Sequence, residues 1–221
     1  MPSSTPWASP PNLCPSTLIG RRWLGGAQRL LLRPVQPQDD GLLAALVLAQ
    51  SAAARRNRFH GAVKASARLG QQMSQVDPTR QLALVVCTQV GSAEQLVAEA
   101  RYSMADDGQS AEFALLVDER WQRQGVGGWA LRALQQAAAG AGITWLHGDV
   151  LQGNQAMLGL ASRCGFACCP DPQDERLVRV QRRLAAADAG TTRTPAPRLL
   201  QRLGRALTGR PPMLWRMPWP H

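Results

Sequence analysis

A nearly all-apolar segment followed by a polar loop, glycines and a helix most restricts the folds open to this chain. The stretch AEFALLV at residues 111–117 has one charged side chain and predicts a strand that is buried on both faces. A helix is predicted from about Gly125 to residue 141, because apolar residues recur there along one side. The first amides of such a helix are unpaired and lie at the positive end of its dipole, so this order predicts an anion-binding site.

The other predicted elements place this segment within an α/β domain of residues 28–184. They follow in the order β-α-α-β-β-β-α-β-α-β. Strands are predicted at 28–35, 82–90, 94–104, 111–117, 143–150 and 177–183, and helices at 41–56, 61–73, 125–141 and 154–165. We therefore expect a mixed, mostly antiparallel sheet of six to seven strands, flanked by helices.

The positive charge of the chain is confined to its two ends. The formal net charge is +10, of which residues 1–33 carry +4, residues 181–221 carry +7 and the segment between them carries −1. A nucleic-acid-binding domain would carry its excess of arginine and lysine on the folded core. No nucleic-acid partner is therefore expected.

Both ends of the chain are expected to lie outside the folded domain. Residues 1–27 are rich in proline and serine and are predicted to be disordered. Residues 185–221 form a linker and a basic tail, in which leucines and arginines alternate at helical spacing. Such a helix could bind a membrane surface or an acidic partner. We favour a disordered or loosely packed appendage instead.

Cysteine usage and hydropathy favour a cytoplasmic protein. The five cysteines have neither the paired spacing of a zinc site nor the density of a disulfide scaffold, so free thiols and no metal are expected. The first 19 residues lack a basic start followed by an apolar run, and no secretory signal is expected. The longest apolar run, at residues 42–49, is too short to cross a bilayer.

Several kinds of phosphate site use glycines before a helix. Gly125, Gly127 and Ala130 match the relaxed dinucleotide-binding fingerprint, and Asp149 is an acid near the expected distance. In that fold the first glycine follows its strand at once, whereas seven residues separate Val117 from Gly125 here. A nucleoside-triphosphate loop would need Lys-Ser or Lys-Thr after the glycines, and neither is present. An acyl-CoA site or a plain helix N-terminus remains.

The residues around the glycines resemble the signature of the GNAT superfamily of N-acetyltransferases. Val117, four intervening residues and then QRQGVG match the pattern V-x(4)-[QR]-x-x-G-x-[GA]. Asn154, which opens a predicted helix that ends in Gly-Phe, resembles the second motif of the family. The resemblance covers about residues 28–183 and is strongest to the acetyltransferase domain of bacterial protein-lysine acetyltransferases.

The resemblance implies an N-acetyltransferase that moves an acetyl group from acetyl-CoA to an amine by direct attack in a ternary complex. A lysine on a protein is the acceptor that the strongest likeness favours. The alternatives are a small-amine acceptor, or an idle acyl-CoA-binding module that works through its basic ends. The resemblance implies no metal, and it leaves the oligomeric state open.

The same resemblance assigns the cofactor contacts. Acetyl-CoA would lie in a cleft where the strand at 111–117 diverges from the strand at 145–150. The main chain of Leu115, Leu116 and Val117 would pair with pantetheine. The amides around the glycines would bind the pyrophosphate: Gln122, Arg123, Gln124, Gly125, Val126, Gly127 and Gly128. Asn154 would contact the cofactor arm, with a plain helix cap as the alternative.

Glu112 is the candidate general base. It is the only charged residue in the strand at 111–117, and it matches the glutamate that these relatives use as base. Burial raises the pKa of a carboxyl group toward neutrality, which suits it to take a proton from an ammonium group. Glu99 on the neighbouring strand is the alternative. Ala161 stands where many members have a tyrosine acid, so no general acid is assigned, and His147 is expected to be structural.

Overall fold

The computed structural model describes residues 19–25, 28–61 and 66–184. Eight strands form one sheet in the order β1-β2-β3-β4-β5-β6-β8-β7. The strands are β1 Gly20–Leu24, β2 Gln28–Pro34, β3 Gln81–Val90, β4 Ala93–Met104, β5 Ser110–Val117, β6 Trp145–Leu151, β7 Ala167–Pro170 and β8 Leu177–Arg183. The helices are α1 Asp40–Leu48, α2 Ala52–Phe59, α3 Ala67–Ser74, α4 Val126–Gly140 and α5 Gln155–Arg163.

The sheet contains one parallel pair, between β5 and β6. β1 to β5 pair in chain order, each antiparallel to the next, and β6, β8 and β7 continue as antiparallel neighbours. A parallel pair needs a crossover connection, and α4 supplies it while packing on β4 and β5. The predicted α/β fold with a mixed, mostly antiparallel sheet is confirmed.

The sheet has eight strands where six to seven were expected, because two edge strands were not predicted. β1 reads GRRWL and β7 reads ACCP, so neither alternates apolar and polar residues. They form through main-chain pairing with β2 and β8. Because β1 lies upstream of residue 28, the expected disorder of residues 1–27 does not hold for residues 20–24.

The helix predicted at 41–56 is two helices, because a second helix starts after Ser51. The Ser51 side chain caps α2 by accepting a hydrogen bond from Ala54 N–H at 3.1 Å. Serine in an extended conformation is a strong helix-starting residue. The Ser51 N–H and hydroxyl also donate to Glu119 at 2.8 and 3.0 Å. The start of α2 is therefore joined to the turn that follows β5.

Some expectations concern residues that the structure does not describe. These are the expected disorder of residues 1–18 and the linker and basic tail beyond residue 184. The helix predicted at 61–73 is described only in part, and α3 begins at Ala67. Within the described ranges, no helix is long and apolar enough to cross a membrane. The four cysteines in those ranges are free thiols.

Helices pack on both faces of the sheet. On one face, α4 and α5 bury the larger core, which includes Leu131, Leu134 and Ala161. On the other face, α1 and α3 bury a second cluster, which includes Leu43 and Leu116. Burying one leucine side chain contributes about 1.5–3 kcal/mol. The two cores therefore hold β5 and α4 firmly on either side of the loop that joins them.

The contact between β1 and α4 gives a testable boundary for the domain. A Cβ on Gly20 would lie 2.9 Å from the Trp129 ring, so strand and helix touch. A fragment of residues 19–184 should melt at the temperature of the full chain. A fragment of residues 28–184 loses β1 and should melt lower, by about 2–4 °C for each kcal/mol lost. Thermal unfolding followed by circular dichroism measures both, and equal melting temperatures would show that β1 adds no stability.

Candidate functional site

β5 and β6 pair over a short stretch and then diverge. Residues 110–112 of β5 pair with residues 145–147 of β6. β5 continues to Val117 and β6 to Leu151 without further pairing between them. Main-chain N–H and C=O groups need a partner when they leave water. Those that face the gap between the two strands are therefore available to a ligand.

The gap opens into a cleft of about 2150 Å³. Its walls come from α2, β5, the loop after β5, the start of α4, β6 and α5. Ten of the thirteen residues predicted for the site line it: Glu112, Leu115, Leu116, Val117, Gln122, Arg123, Gly125, Gly127, Gly128 and Asn154. The side chains of Glu99, Gln124 and Val126 lie elsewhere.

The start of α4 presents unpaired amide groups to the cleft. Gly125 precedes the helix with a φ of +84°, a left-handed conformation that favours glycine, and it has no side chain that could cap the helix. The first intrahelical bond runs from Trp129 N–H to the Gly125 carbonyl at 3.0 Å. The N–H groups of residues 126–128 have no carbonyl partner within the helix and lie at the positive end of its dipole. This geometry suits a phosphate group.

Gly127 allows α4 to pack closely against its neighbours. A Cβ at this position would lie 3.2 Å from Leu160 Cδ2 and 3.2 Å from Val117 Cγ2. The side chain of Val126 is buried in the core. The Gln124 side chain is exposed and donates to a main-chain carbonyl at 2.8 Å. At these two positions only the main chain can take part in binding.

Three arginines that were not predicted for the site lie at this helix start or in the cleft wall. Arg132 on α4 and Arg163 at the end of α5 line the cleft. The guanidinium of Arg22, on β1, lies 3.5 Å from the position of a Cβ on Gly125. Their charges would attract a phosphate group. Arg132 follows Gly128 by one helical turn, so its place near the helix start could have been predicted. Arg22 could not, because nothing in the sequence near it indicates that β1 packs beside α4.

Asn154 caps α5 and also lines the cleft. Its Oδ1 accepts a hydrogen bond from Met157 N–H at 3.2 Å, so the capping alternative is observed. Replacing Asn154 with alanine should lower the free energy of unfolding by about 1 kcal/mol. Denaturant titration measures the loss, and Asn154→Ser, which keeps a capping oxygen, should avoid it. An alanine variant as stable as the parent chain would contradict the capping role.

Glu112 lies where the two strands part. It is half-buried, lines the cleft, and is the last residue of β5 that pairs with β6, opposite His147. Burial raises the pKa of Glu112, and the nearby Asp149 carboxylate raises it further, while the charges of Arg179 and Arg58 oppose that rise. A carboxylate with a raised pKa is suited to take up a proton near neutral pH.

His147, Asp149 and Arg179 form the wall beside Glu112. Arg179 donates two hydrogen bonds to Asp149, at 2.9 and 3.1 Å. Burial lowers the pKa of His147, and the Arg179 charge lowers it further, so the neutral imidazole is favoured. From the sequence, His147 was predicted to be structural. Its place in the cleft wall was missed because strand residues alternate between faces, and the sequence does not say which face opens to a ligand.

Glu99, the alternative base, is fully buried behind the cleft wall. Arg58 Nη2 donates to Glu99 Oε2 at 3.3 Å. Arg101 Nε donates to Glu99 Oε1. Both carboxylate oxygens are therefore held by guanidinium groups. This arrangement argues against Glu99 as the residue that meets an acceptor amine, and it leaves Glu112 as the better placed carboxylate.

Comparisons with known proteins agree with this geometry. The family described as Acetyltransferase (GNAT) domain matches residues 29–167. Acetyltransferase PA5475 of Pseudomonas aeruginosa is 26% identical over 163 residues, which is 72% of this chain and 88% of that protein. The GNAT domain of S. lividans PAT has a TM-score of 0.69 at 20% identity, over 77% of this chain and 99% of that one. RimL, a ribosomal L7/L12 alpha-N-protein acetyltransferase in complex with coenzyme A, has a TM-score of 0.56 at 17% identity, over 72% of this chain and 96% of that one.

The family match covers more than half of the chain, and the chain therefore belongs to the GNAT superfamily. It is an N-acetyltransferase that uses acetyl-CoA as the acetyl donor and an amine as the acceptor. The resemblance that rested on the QRQGVG signature is confirmed.

Proposed function

We propose that this enzyme acetylates a lysine side chain on a protein by direct attack, with Glu112 as the general base. The observation that carries the proposal is the position of Glu112, at the last paired residue of β5 where the cleft begins. From this point the cleft extends along β5 to the start of α4, and α2 bounds it as well. Glu112, whose pKa is raised, thus lies between the start of α4, proposed to bind phosphate, and α2.

The cleft can accommodate acetyl-CoA along β5. Leu115, Leu116 and Val117 pair with β4 on one side and with no strand on the side toward β6. On that open side their main chain offers pantetheine the hydrogen bonds that a neighbouring strand would make, and the Val117 carbonyl now accepts one from the Gln122 side chain at 3.2 Å. The amides of residues 126–128, with the charge of Arg123 nearby, can bind the pyrophosphate. The thioester then lies toward the paired end of β5 and β6, next to Glu112.

The acceptor amine arrives as an ammonium ion and must lose a proton before it attacks. Glu112 takes that proton, directly or through one water molecule. The amine nitrogen bonds to the thioester carbonyl carbon, the carbon–sulfur bond breaks, and CoA leaves as a thiolate. Ala161 is buried and has no acidic proton, so no side chain is assigned to protonate the thiolate.

A carboxylate in the loop before β8 supports a cationic acceptor such as lysine. Asp171 and Asp174, in the loop before β8, line the same cleft as Glu112. Arg176 donates two hydrogen bonds to Asp174, at 2.9 and 2.8 Å, so the charge of Asp174 is largely balanced and Asp171 carries this support. Carboxylates that line a cleft raise the local concentration of a positively charged substrate. The resemblance to protein-lysine acetyltransferases favours lysine. RimL, similar in fold, is named an alpha-N-protein acetyltransferase, which supports a protein as the acceptor but not lysine in particular.

Labelled acetyl-CoA added to a cell lysate tests the acceptor class. The proposal predicts label on protein lysines when the parent chain is added, and little label with the Glu112→Gln variant. Label confined to small molecules would favour the small-amine alternative. CoA binding by calorimetry without any transfer of label would favour an idle acyl-CoA-binding module.

A further inference from the structure

Three charged side chains are buried at the wall that α2 forms, one on α2 itself and two behind it. The side chains of Arg58, Glu99 and Arg101 are 4%, 0% and 5% exposed. Glu99 accepts hydrogen bonds from both arginines, with Arg58 Nη2 at 3.3 Å. Arg101 Nη2 also donates to the Met73 carbonyl of α3, at 2.7 Å. This Arg58–Glu99–Arg101 cluster therefore joins α2, β4 and α3.

Polar contacts hold α2 at both of its ends. Its sequence AAARRNRF contains no fully buried residue, and Phe59 is its one side chain that packs against an apolar cluster of the described core. Ser51 joins the first turn to Glu119 at 2.8 and 3.0 Å. Arg58 joins the last turn to Glu99. A buried charge that loses its partner is strongly unfavourable, so the pairing with Glu99 strongly restricts where Arg58, and with it α2, can lie.

We propose that Arg58 is a positioning residue. Held by Glu99, Arg58 fixes α2 as the wall of the cleft that faces the acceptor, and it presents a positive charge to Glu112. Arg58 and Glu112 line the same cleft, whereas Glu99 lies behind it. Glu99, considered as a base from the sequence, thereby acts through Arg58 and not on the substrate. This inference rests on the proposed function, in which Glu112 is the general base.

Arg58 is one of two arginines whose charges lower the pKa of Glu112, and the other, Arg179, is also paired with Asp149. Besides Arg58, the groups that face Glu112 are His147 and Asp149 from β6, Arg179 from β8 and, behind Arg58, Glu99 and Arg101 from β4. Asp149 is paired with Arg179, and the neutral form of His147 is favoured. The charge of Arg58 lowers the pKa of Glu112 against the effect of burial. Arg58 therefore helps to set the pH at which Glu112 can accept a proton.

Three substitutions separate the position of Arg58 from its charge. Arg58→Gln removes both, so it should raise the pKa of Glu112 and should raise the KM for the acceptor by about tenfold. Arg58→Lys keeps the charge but not the planar fork, so it should raise the acceptor KM with little change in that pKa. Glu99→Gln releases Arg58 and should raise the acceptor KM similarly. The KM for acetyl-CoA should stay unchanged in all three.

Arg56→Gln is the matched control. Arg56 lies on the same helix, is exposed, and carries the same charge. Its replacement should leave both the acceptor KM and the pKa of Glu112 at the values of the parent chain. An equal effect at Arg56 and Arg58 would overturn the inference, because the overall positive charge of α2 would then explain both results.

Carboxyl ¹³C NMR titration of the glutamate-labelled full chain tests the charge without relying on turnover. The Glu112 resonance is assigned by its loss in Glu112→Gln. The inference predicts a higher pKa of Glu112 in Arg58→Gln, and kinetics should show the acid limb of kcat/KM shifted in the same direction. Identical Glu112 titrations in Arg58→Gln and the parent chain would overturn it. If Arg58→Gln does not fold, Arg58→Lys decides, since an acceptor KM equal to that of the parent would overturn the positioning role.

Failure of the proposed function gives a different result. A parent chain that transfers no acetyl group to any amine would refute the proposed function, yet the NMR titration would still report whether Arg58 lowers the pKa of Glu112. A parent chain that is active, with Arg58 variants identical to it in titration and kinetics, would refute this inference alone.

Discussion

Replacing Glu112 with glutamine is expected to lower kcat by about 10²–10⁴-fold. Glutamine keeps the size and polarity of the side chain but cannot take a proton from an ammonium ion near neutral pH. The affinity for CoA should hardly change, because the proposed cofactor contacts lie later on β5 and at the start of α4. Steady-state kinetics with an amine acceptor and calorimetry of CoA binding measure the two quantities.

The pH dependence gives the Glu112 variant a second expected result. Glu112 acts as a base only when deprotonated, so kcat/KM of the parent chain should rise as the pH increases through its pKa. Burial raises that pKa, so the rise should lie above about 4.3, the value of an exposed glutamate. The variant should lose this limb and recover part of its rate at high pH, where free amine accumulates.

Glu99→Gln is the control for Glu112→Gln. It makes the same chemical change on the neighbouring strand, but at a carboxylate that two arginines already hold. Its effect should fall on the acceptor KM, with a much smaller loss of kcat than at Glu112. A strongly lowered kcat in Glu99→Gln together with normal turnover in Glu112→Gln would assign the general base to Glu99 on β4. Normal turnover in both variants would leave the base to water or to the substrate.

Replacing Gly127 with glutamate is expected to weaken CoA binding by about 100-fold or more, since like charges brought together cost several kcal/mol. A side chain there would crowd Leu160 and Val117, each 3.2 Å from the position of its Cβ. Its carboxylate would also lie beside the amides that are proposed to bind the pyrophosphate. Calorimetric titration with CoA measures the affinity, and NADH should not compete.

Two further variants separate charge and packing in this result. Gly127→Ala adds the crowding without the charge, so its affinity for CoA should lie between the parent value and that of Gly127→Glu. Gly41→Glu adds the same charge at an exposed position on α1, where no atom beyond the adjacent helix backbone lies within 4 Å of the Cβ position, and it should bind CoA normally. An unchanged CoA affinity in Gly127→Glu would refute the phosphate site at α4.

The centre of the fold was predictable because its signals are local. The apolar run at residues 111–117, the glycines and the amphipathic helix after them lie within one continuous segment, and the structure has β5, the loop and α4 there. The same segment supplies most of the predicted site residues that line the cleft. Apolar periodicity and the positions of glycines can be read directly from a sequence, so they predict this segment without knowledge of distant contacts.

The edges of the fold were less predictable because they form through pairing with distant residues. β1 and β7 lack an apolar pattern and exist as strands through β2 and β8. The break between α1 and α2 comes from a serine cap that the apolar periodicity on either side of Ser51 obscured. Main-chain pairing and capping compete with local propensity, and neither is visible in periodicity alone.

The surroundings of Glu112 could not be derived from the sequence for the same reason. Arg58 and Glu99 are 41 positions apart and meet because the fold places α2 against β5, with Glu99 on the neighbouring strand β4. Asp149 matched the acid of a dinucleotide fold by spacing, whereas its carboxylate pairs with Arg179. Each of these partners is supplied by the tertiary fold, and each changes the chemistry expected of the residue.

A crystal structure with bound CoA tests the account most directly. We predict that the CoA sulfur lies where β5 and β6 stop pairing, within hydrogen-bond reach of Glu112 or one water molecule away. The pyrophosphate should lie against the amides of residues 126–128. A complex in which the sulfur lies away from Glu112, or the pyrophosphate away from the start of α4, would contradict the account.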